Sequence, residues 1–186
     1  MKILGIDPGF ERLGIAVLES PSIKGYGGAQ KNTVVFSECF KTSAKLEFAE
    51  RLKLLGEEVQ KVIKKYKPEV LAIETLFLTT NQKTVMHVAE ARGVVIYEAI
   101  KADLKIFEAS PPQIKIATTG YGKADKEQVM RMVKMLVDID PIRGGPSLRA
   151  LATSNRASNK NFSDDEMDAI AIAITGYAHL STVWKK

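Results

Sequence analysis

The chain has 186 residues, 45% of them hydrophobic and 26% charged, a balance typical of a folded globular protein with one sizeable core. Its 27 basic residues exceed its 22 acidic ones, and the resulting charge of +5 suits a polyanionic partner without requiring one. The single cysteine, Cys39, excludes an internal disulfide, and there is neither a signal core nor an apolar run of the ~18 residues a membrane span needs, so a cytoplasmic protein is expected.

The first predicted strand is Lys2–Asp7, an Ile- and Leu-rich run that stops on Asp7 and breaks at once at Pro8-Gly9. A strand ending on an acid places a carboxylate at the exit edge of a sheet, where open α/β sheets collect ligands. Residues 13–18 and 34–40 read as the second and third strands, and their short connections favour antiparallel neighbours. Cys39 falls in the third and reads as a small buried hydrophobe. From about 45 to 66, Leu46, Ala49, Leu52, Val59, Ile63 and Tyr66 share one helical face, and Pro68 stops the helix. Residues 70–73 then form a fourth strand that ends on Glu74. A helix between strands makes this a crossover, parallel to an earlier strand. If that neighbour is the first strand, Asp7 and Glu74 emerge side by side.

A second helix spans about 81–101. Its Val85, Met86, Val88, Ala89, Val94, Val95 and Ile96 cover more than one face, which leaves open both a helix sandwiched in the core and a subunit interface. Residues 104–107 read as a fifth strand, Pro111-Pro112 start a short helical segment reaching Lys115, and 118–123 read as a loop. A helix from Lys126 to Val137 carries Val129, Met132, Val133 and Leu136 on one side. Residues 138–162, rich in Gly, Pro, Ser, Asn and Arg, have little to bury and read as a long flexible loop. Ser163-Asp164-Asp165-Glu166 fits a capping box opening a final helix, apolar throughout 169–174. The expected architecture is a single α/β domain over 1–186. Its mixed five-stranded sheet has the first three strands antiparallel, then parallel crossovers, with helices on both faces.

Asp165 and Asp168 stand three apart on the last helix and share a face. Asp168 borders the apolar run, so it loses some water and calls for a cation. Asp164 reads as a first-turn acid that complements the helix dipole. Together with Asp7 and Glu74, and without a Cys–His cluster, these acids point to hard divalent cations such as magnesium or manganese. His87 and His179 lack ligand spacing and read as surface or helix residues. Arg92, amid apolar neighbours, reads as a paired structural arginine or a DNA contact.

The segment Gly5-Ile6-Asp7-Pro8-Gly9, with Gly14 beyond it, resembles the first motif of RuvC-type Holliday junction resolvases. Ala72-Ile73-Glu74-Thr75-Leu76-Phe77 resembles their second, Ala89-Glu90-Ala91-Arg92-Gly93-Val94 the helix that follows, and the run from Asp165 to Ala173 their last. The resemblance extends from Met1 to about His179. It implies an RNase H-like fold, a homodimer, and two magnesium ions (manganese able to substitute) held by Asp7, Glu74, Asp165 and Asp168. The implied reaction is symmetric paired nicking of four-way DNA junctions in recombination and repair. It further implies that Phe77 wedges into the junction and that Lys115 and Lys126 contact phosphates; Lys123, Arg131 and Lys134 lie near them in sequence and would extend the patch, while a solvated surface face stays open for each lysine. A RuvA–RuvB-type branch-migration complex is the implied partner. The stretch before the last helix is longer than is usual in the family, and Asp164 in place of Asp165 stays open as a ligand, as does Phe77 as a core aromatic. Three rivals also stand: an RNase H-like nuclease for hybrid or branched substrates, a non-catalytic junction-binding module, and an actin-like ATP-binding protein whose phosphate loop resembles residues 5–14.

Overall fold

Five strands form where the apolar runs predict them: β1 (Lys2–Asp7), β2 (Arg12–Glu19), β3 (Asn32–Lys41), β4 (Val70–Glu74) and β5 (Lys105–Ala109). The computed structural model describes residues 1–20, 31–76, 82–139 and 162–183. Within them a sixth strand, β6 (Val137–Ile139), pairs with the outer edge of β3, so the sheet has six strands and not five. Its order is β5-β4-β1-β2-β3-β6. β1, β2 and β3 are antiparallel neighbours, whereas β4 lies parallel to β1 and β5 parallel to β4.

Alternation along the strands sends side chains to two separate layers. Leu4, Ile6, Leu13, Ile15 and Val17 pack under α1 (Phe48–Tyr66) and α2 (Gln82–Lys101). Ile3, Ala16, Leu18 and Ala72 pack under α5 (Asp164–Val183), with α3 (Pro111–Thr119) and α4 (Lys126–Leu136) beside it. Among the described residues no helix is long and apolar enough to cross a membrane.

Several boundaries differ from the sequence reading. α1 starts at Phe48 rather than near 45, and Arg51 and Leu55 are among its buried residues while Ala49 is exposed. α3 runs on to Thr119, where Gly120 ends it with φ 75° and its amide donates to the Ile116 carbonyl; the Thr118 and Thr119 hydroxyls turn back onto the Ile114 and Lys115 carbonyls at 2.8 Å each. α4 stops at Leu136, and Val137, Asp138 and Ile139 take the free edge of β3 instead of continuing the helix or starting a loop. The rest of the predicted loop, 140–161, and Phe77 lie outside the described residues. α2 buries Ala91, Val95 and Ala99 but exposes Met86, Tyr97 and Ile100, so within one chain only one side of it is covered.

α5 sits close to the sheet because glycines lie on both sides of the contact, Gly5 on β1 and Gly176 on the helix itself. A side-chain carbon at Gly5 would fall 2.2 Å from the Ala169 carbonyl oxygen, and one at Gly176 would fall 2.9 Å from Ala72 Cβ. Its N-terminus is pinned by the predicted capping box, in which the Ser163 amide and hydroxyl donate to Glu166 Oε2 at 3.0 and 2.9 Å. The other Glu166 oxygen accepts from Ser37 Oγ at 2.8 Å, tying the helix start to β3.

Candidate active site

The β1–β4 register pairs Ile6 with Ile73, so the next residues, Asp7 and Glu74, leave the sheet side by side. The exit of β4 is held firmly. Thr75 N donates to the Ala109 carbonyl at 2.9 Å, Arg92 Nε donates to the Glu74 carbonyl at 3.1 Å, and Arg92 Nη2 reaches Glu108 Oε2. α5 carries Asp168 over this pair. Asp7, Glu74 and Asp168 line a cleft of about 250 Å³ with Lys115 and Lys126, walled by Pro111, Ile114, Val129 and Ile172.

Charge is concentrated and poorly hydrated here. Burial, then repulsion from Asp168, Glu74 and Asp165, raises the Asp7 carboxyl to about 7. Burial and Asp168 raise Glu74. Burial also raises Asp168, against the pull of Lys126. The Lys126 ammonium lies 3.2 Å from Asp164 Oδ2 and 3.3 Å from Asp168 Oδ2. Partial burial disfavours that ammonium, but the charge of Asp168 and the hydrogen bonds to both acids outweigh it and raise its pKa.

Asp165 stands apart from the cleft lining. Its Oδ2 accepts from Arg12 Nε at 2.9 Å, from Arg12 Nη2, and from Cys39 Sγ at 3.3 Å. Burial disfavours this carboxylate, yet the hydrogen bonds from Cys39 and Arg12 prevail and hold its pKa below the usual value. Cys39 is therefore no buried hydrophobe: it is half-buried, and its thiol faces a carboxylate. Asp164 is exposed and does not line the cleft.

The structure thus gathers Asp7, Glu74, Asp168, Lys115 and Lys126, with Asp165 adjacent. Lys123 and Lys134 are exposed away from the lining, and Arg131 pairs with Glu127 at 3.3 Å. His87 packs against both Phe10 and Phe48, whose rings also stack on each other, and His179 stacks on Phe107. Arg12 carried no signal in the sequence reading, since its partner is 153 residues away.

Among the described residues, no three Asp, Glu, His or Cys side chains converge as they stand on one point that would hold an ion. Asp165 turns to Arg12, and Asp168 to Lys126. The donor set nonetheless fits a hard divalent cation. It is all carboxylate oxygen, and burial together with repulsion from the neighbouring acids drives Asp7 toward protonation, which a bound cation would reverse.

A sheet of this order, with acids at adjacent strand exits and on a helix crossing them, defines a nuclease of the RNase H-like class. Comparison with known proteins narrows the class. The sequence model described as crossover junction endodeoxyribonuclease RuvC matches residues 3–154. A crossover junction endodeoxyribonuclease RuvC of Thermosipho melanesiensis is 41% identical over 142 residues, 76% of this chain and 86% of that protein. One from Caldanaerobacter subterraneus is 37% identical over 174 residues, 94% of this chain and 90% of that protein. The solved RuvC of Thermus thermophilus superposes with a TM-score of 0.76 at 29% identity, covering 98% of each chain, and the same protein has been solved in complex with Holliday junction substrate. The chain belongs to the RuvC family of crossover junction endodeoxyribonucleases.

Proposed function

We propose that this protein is a Holliday junction resolvase that nicks four-way DNA junctions symmetrically, as a homodimer, with two magnesium ions that manganese can replace. The carrying observation is the cleft in which Asp7, Glu74 and Asp168 meet Lys115 and Lys126. Asp7, Glu74, Asp165 and Asp168 would hold the cations. Bound cations supply the charge that activates water and stabilises the leaving oxygen of a phosphodiester. Lys115 and Lys126 neutralise the flanking phosphates. Pro111, Ile114, Val129 and Ile172 form an apolar wall that lowers the local dielectric and strengthens each of these electrostatic contacts.

Lys123 belongs to the approach path of the DNA rather than to the cleft, and Phe77, just beyond Glu74, is suited to stack against junction bases. Two observations support the dimer. Met86, Tyr97 and Ile100 are 64%, 63% and 59% exposed on one helix, and a side-chain carbon at Gly93 on the same helix would meet nothing within 4 Å. An exposed apolar stripe of this kind suits a second copy of the chain. A RuvA–RuvB-type branch-migration complex and the cytoplasm are the corresponding partner and compartment.

The test is a magnesium-dependent nicking assay on a mobile four-way junction, with linear duplex and RNA–DNA hybrid as controls. Paired nicks in the junction alone are expected. Asp7→Asn should abolish nicking while junction binding persists, because it removes charge that holds metal and not a DNA contact. Cleavage of hybrid with an intact junction would overturn the substrate. Sedimentation as a monomer at micromolar concentration would overturn the preformed dimer.

A further inference from the structure

Three donors converge on a single oxygen, Asp165 Oδ2: Arg12 Nε, Arg12 Nη2 and Cys39 Sγ. The sheet arranges this. β2 and β3 pair Gly14 with Cys39, and Arg12, two residues before Gly14, points to the same face. The missing side chain at position 14 lets the Asp165 backbone settle between them. The result is that Asp165 does not line the cleft shared by Asp7, Glu74 and Asp168.

We propose that Arg12 is a positioning residue, an internal cation that holds Asp165 aside until a divalent cation displaces it, and so sets the cation concentration at which the site fills. This rests on the reading of Asp165 as a metal ligand. An oxygen already accepting three hydrogen bonds offers little lone-pair density to a metal, so filling the site through it requires Arg12 to let go. The latch is weak enough to open. The Arg12 side chain is 50% exposed, and pairs of that exposure are worth little net energy. A doubly charged ion facing Asp7, Glu74 and Asp168 competes favourably with one half-solvated guanidinium.

The experiment is calorimetric titration of magnesium and manganese into DNA-free protein, for wild type, Arg12→Gln, Arg12→Lys, Asp165→Asn and the Arg12→Gln/Asp165→Asn double variant. Arg12→Gln should tighten the dissociation constant by about 3- to 5-fold, the size of an exposed ion pair. Arg12→Lys, which keeps the charge but not the paired guanidinium donors, should fall between wild type and Arg12→Gln. Asp165→Asn should weaken binding, and adding Arg12→Gln to it should change nothing more. If Asp165→Asn weakens binding but Arg12→Gln leaves it unchanged or weaker, the latch is wrong and the ligand reading survives. If Asp165→Asn has no effect, the ligand reading falls and the latch with it.

Discussion

A side-chain carbon at Gly14 would lie 2.2 Å from the carbonyl oxygen of Asp165 and 3.1 Å from Asp7 Cβ. Gly14 is the register partner of Asp7 on β2, so one glycine separates a strand acid from a helix acid. Gly14→Ala must lift the first turn of α5 or spread β1 from β2. Forcing a methyl group into such a contact costs about 1–3 kcal/mol. Urea denaturation should show that loss. Calorimetry should show weaker magnesium binding, because the backbone carrying Asp165 moves relative to Asp7. Unchanged stability would mean that α5 is not seated on this glycine.

The shift of Asp7 makes stability in the absence of metal depend on pH. Its carboxyl is raised from 3.8 to about 7, so between those values the folded state holds a proton that the unfolded chain has lost. Stability is therefore fullest below about pH 4 for this group and falls as pH rises through 7, by at most about 4 kcal/mol. Glu74 and Asp168 are raised too and act in the same direction, whereas Asp165 is lowered and loses its contribution only in acid. Urea melts in chelator at pH 5 and pH 8 should show the decline. Asp7→Asn should flatten most of it, and saturating magnesium should offset it. A wild type equally stable at both pH values would contradict the crowding of acids around Asp7.

The parts of the site that were legible in the sequence are those set by local pattern. An apolar run ending on an acid gives Asp7 and Glu74 their place at strand exits, and the helix before β4 makes it a parallel crossover, while its place beside β1 comes from the sheet pairing itself. The spacing of Ser163 and Glu166 marks the start of α5. What local pattern lacks is lateral geometry. Asp165 and Asp168 share a helix face, yet their carboxylates part company: one goes to Arg12 on β2, the other to Lys126 on α4. That division depends on how closely α5 approaches the sheet, which the glycines at 5 and 14 set from far away in the chain. β6 escaped notice because three residues are too few to show a period, and Val137 also fits the end of the helix before it.

Lys115 and Lys126 line the same cleft from different helices, and their proposed task is phosphate neutralisation. Removing one phosphate-binding cation should reduce the slope of log affinity against log salt by about 1. Lys115→Ala and Lys126→Ala are therefore each expected to weaken junction binding at low salt and to flatten its salt dependence. Fluorescence anisotropy across a salt series, in calcium to prevent turnover, measures both. Lys126→Ala has a second effect that Lys115→Ala lacks. It removes the cation beside Asp164 and Asp168, so the pKa of Asp168 should rise further. A full salt slope in both variants would place the DNA elsewhere.

Arg92 makes two bonds of unequal worth, and substitutions can separate them. Its Nη2 pairs with Glu108, whose side chain is 50% exposed, and such a pair adds at most about 1 kcal/mol. Its Nε donates to the Glu74 carbonyl at 3.1 Å, at the point where β4 must stop and present its acid. The Arg92 side chain is only 17% exposed, so water replaces that bond poorly. Arg92→Ala should therefore cost about 1–3 kcal/mol, while Glu108→Gln costs much less. Arg92→Ala should also lower kcat for junction nicking more than it changes junction affinity, because it loosens Glu74 without removing a DNA contact. Anisotropy with the same salt series decides its role. An unchanged salt slope fits an arginine that braces the exit of β4, whereas a slope reduced by about 1 would make it a phosphate contact instead.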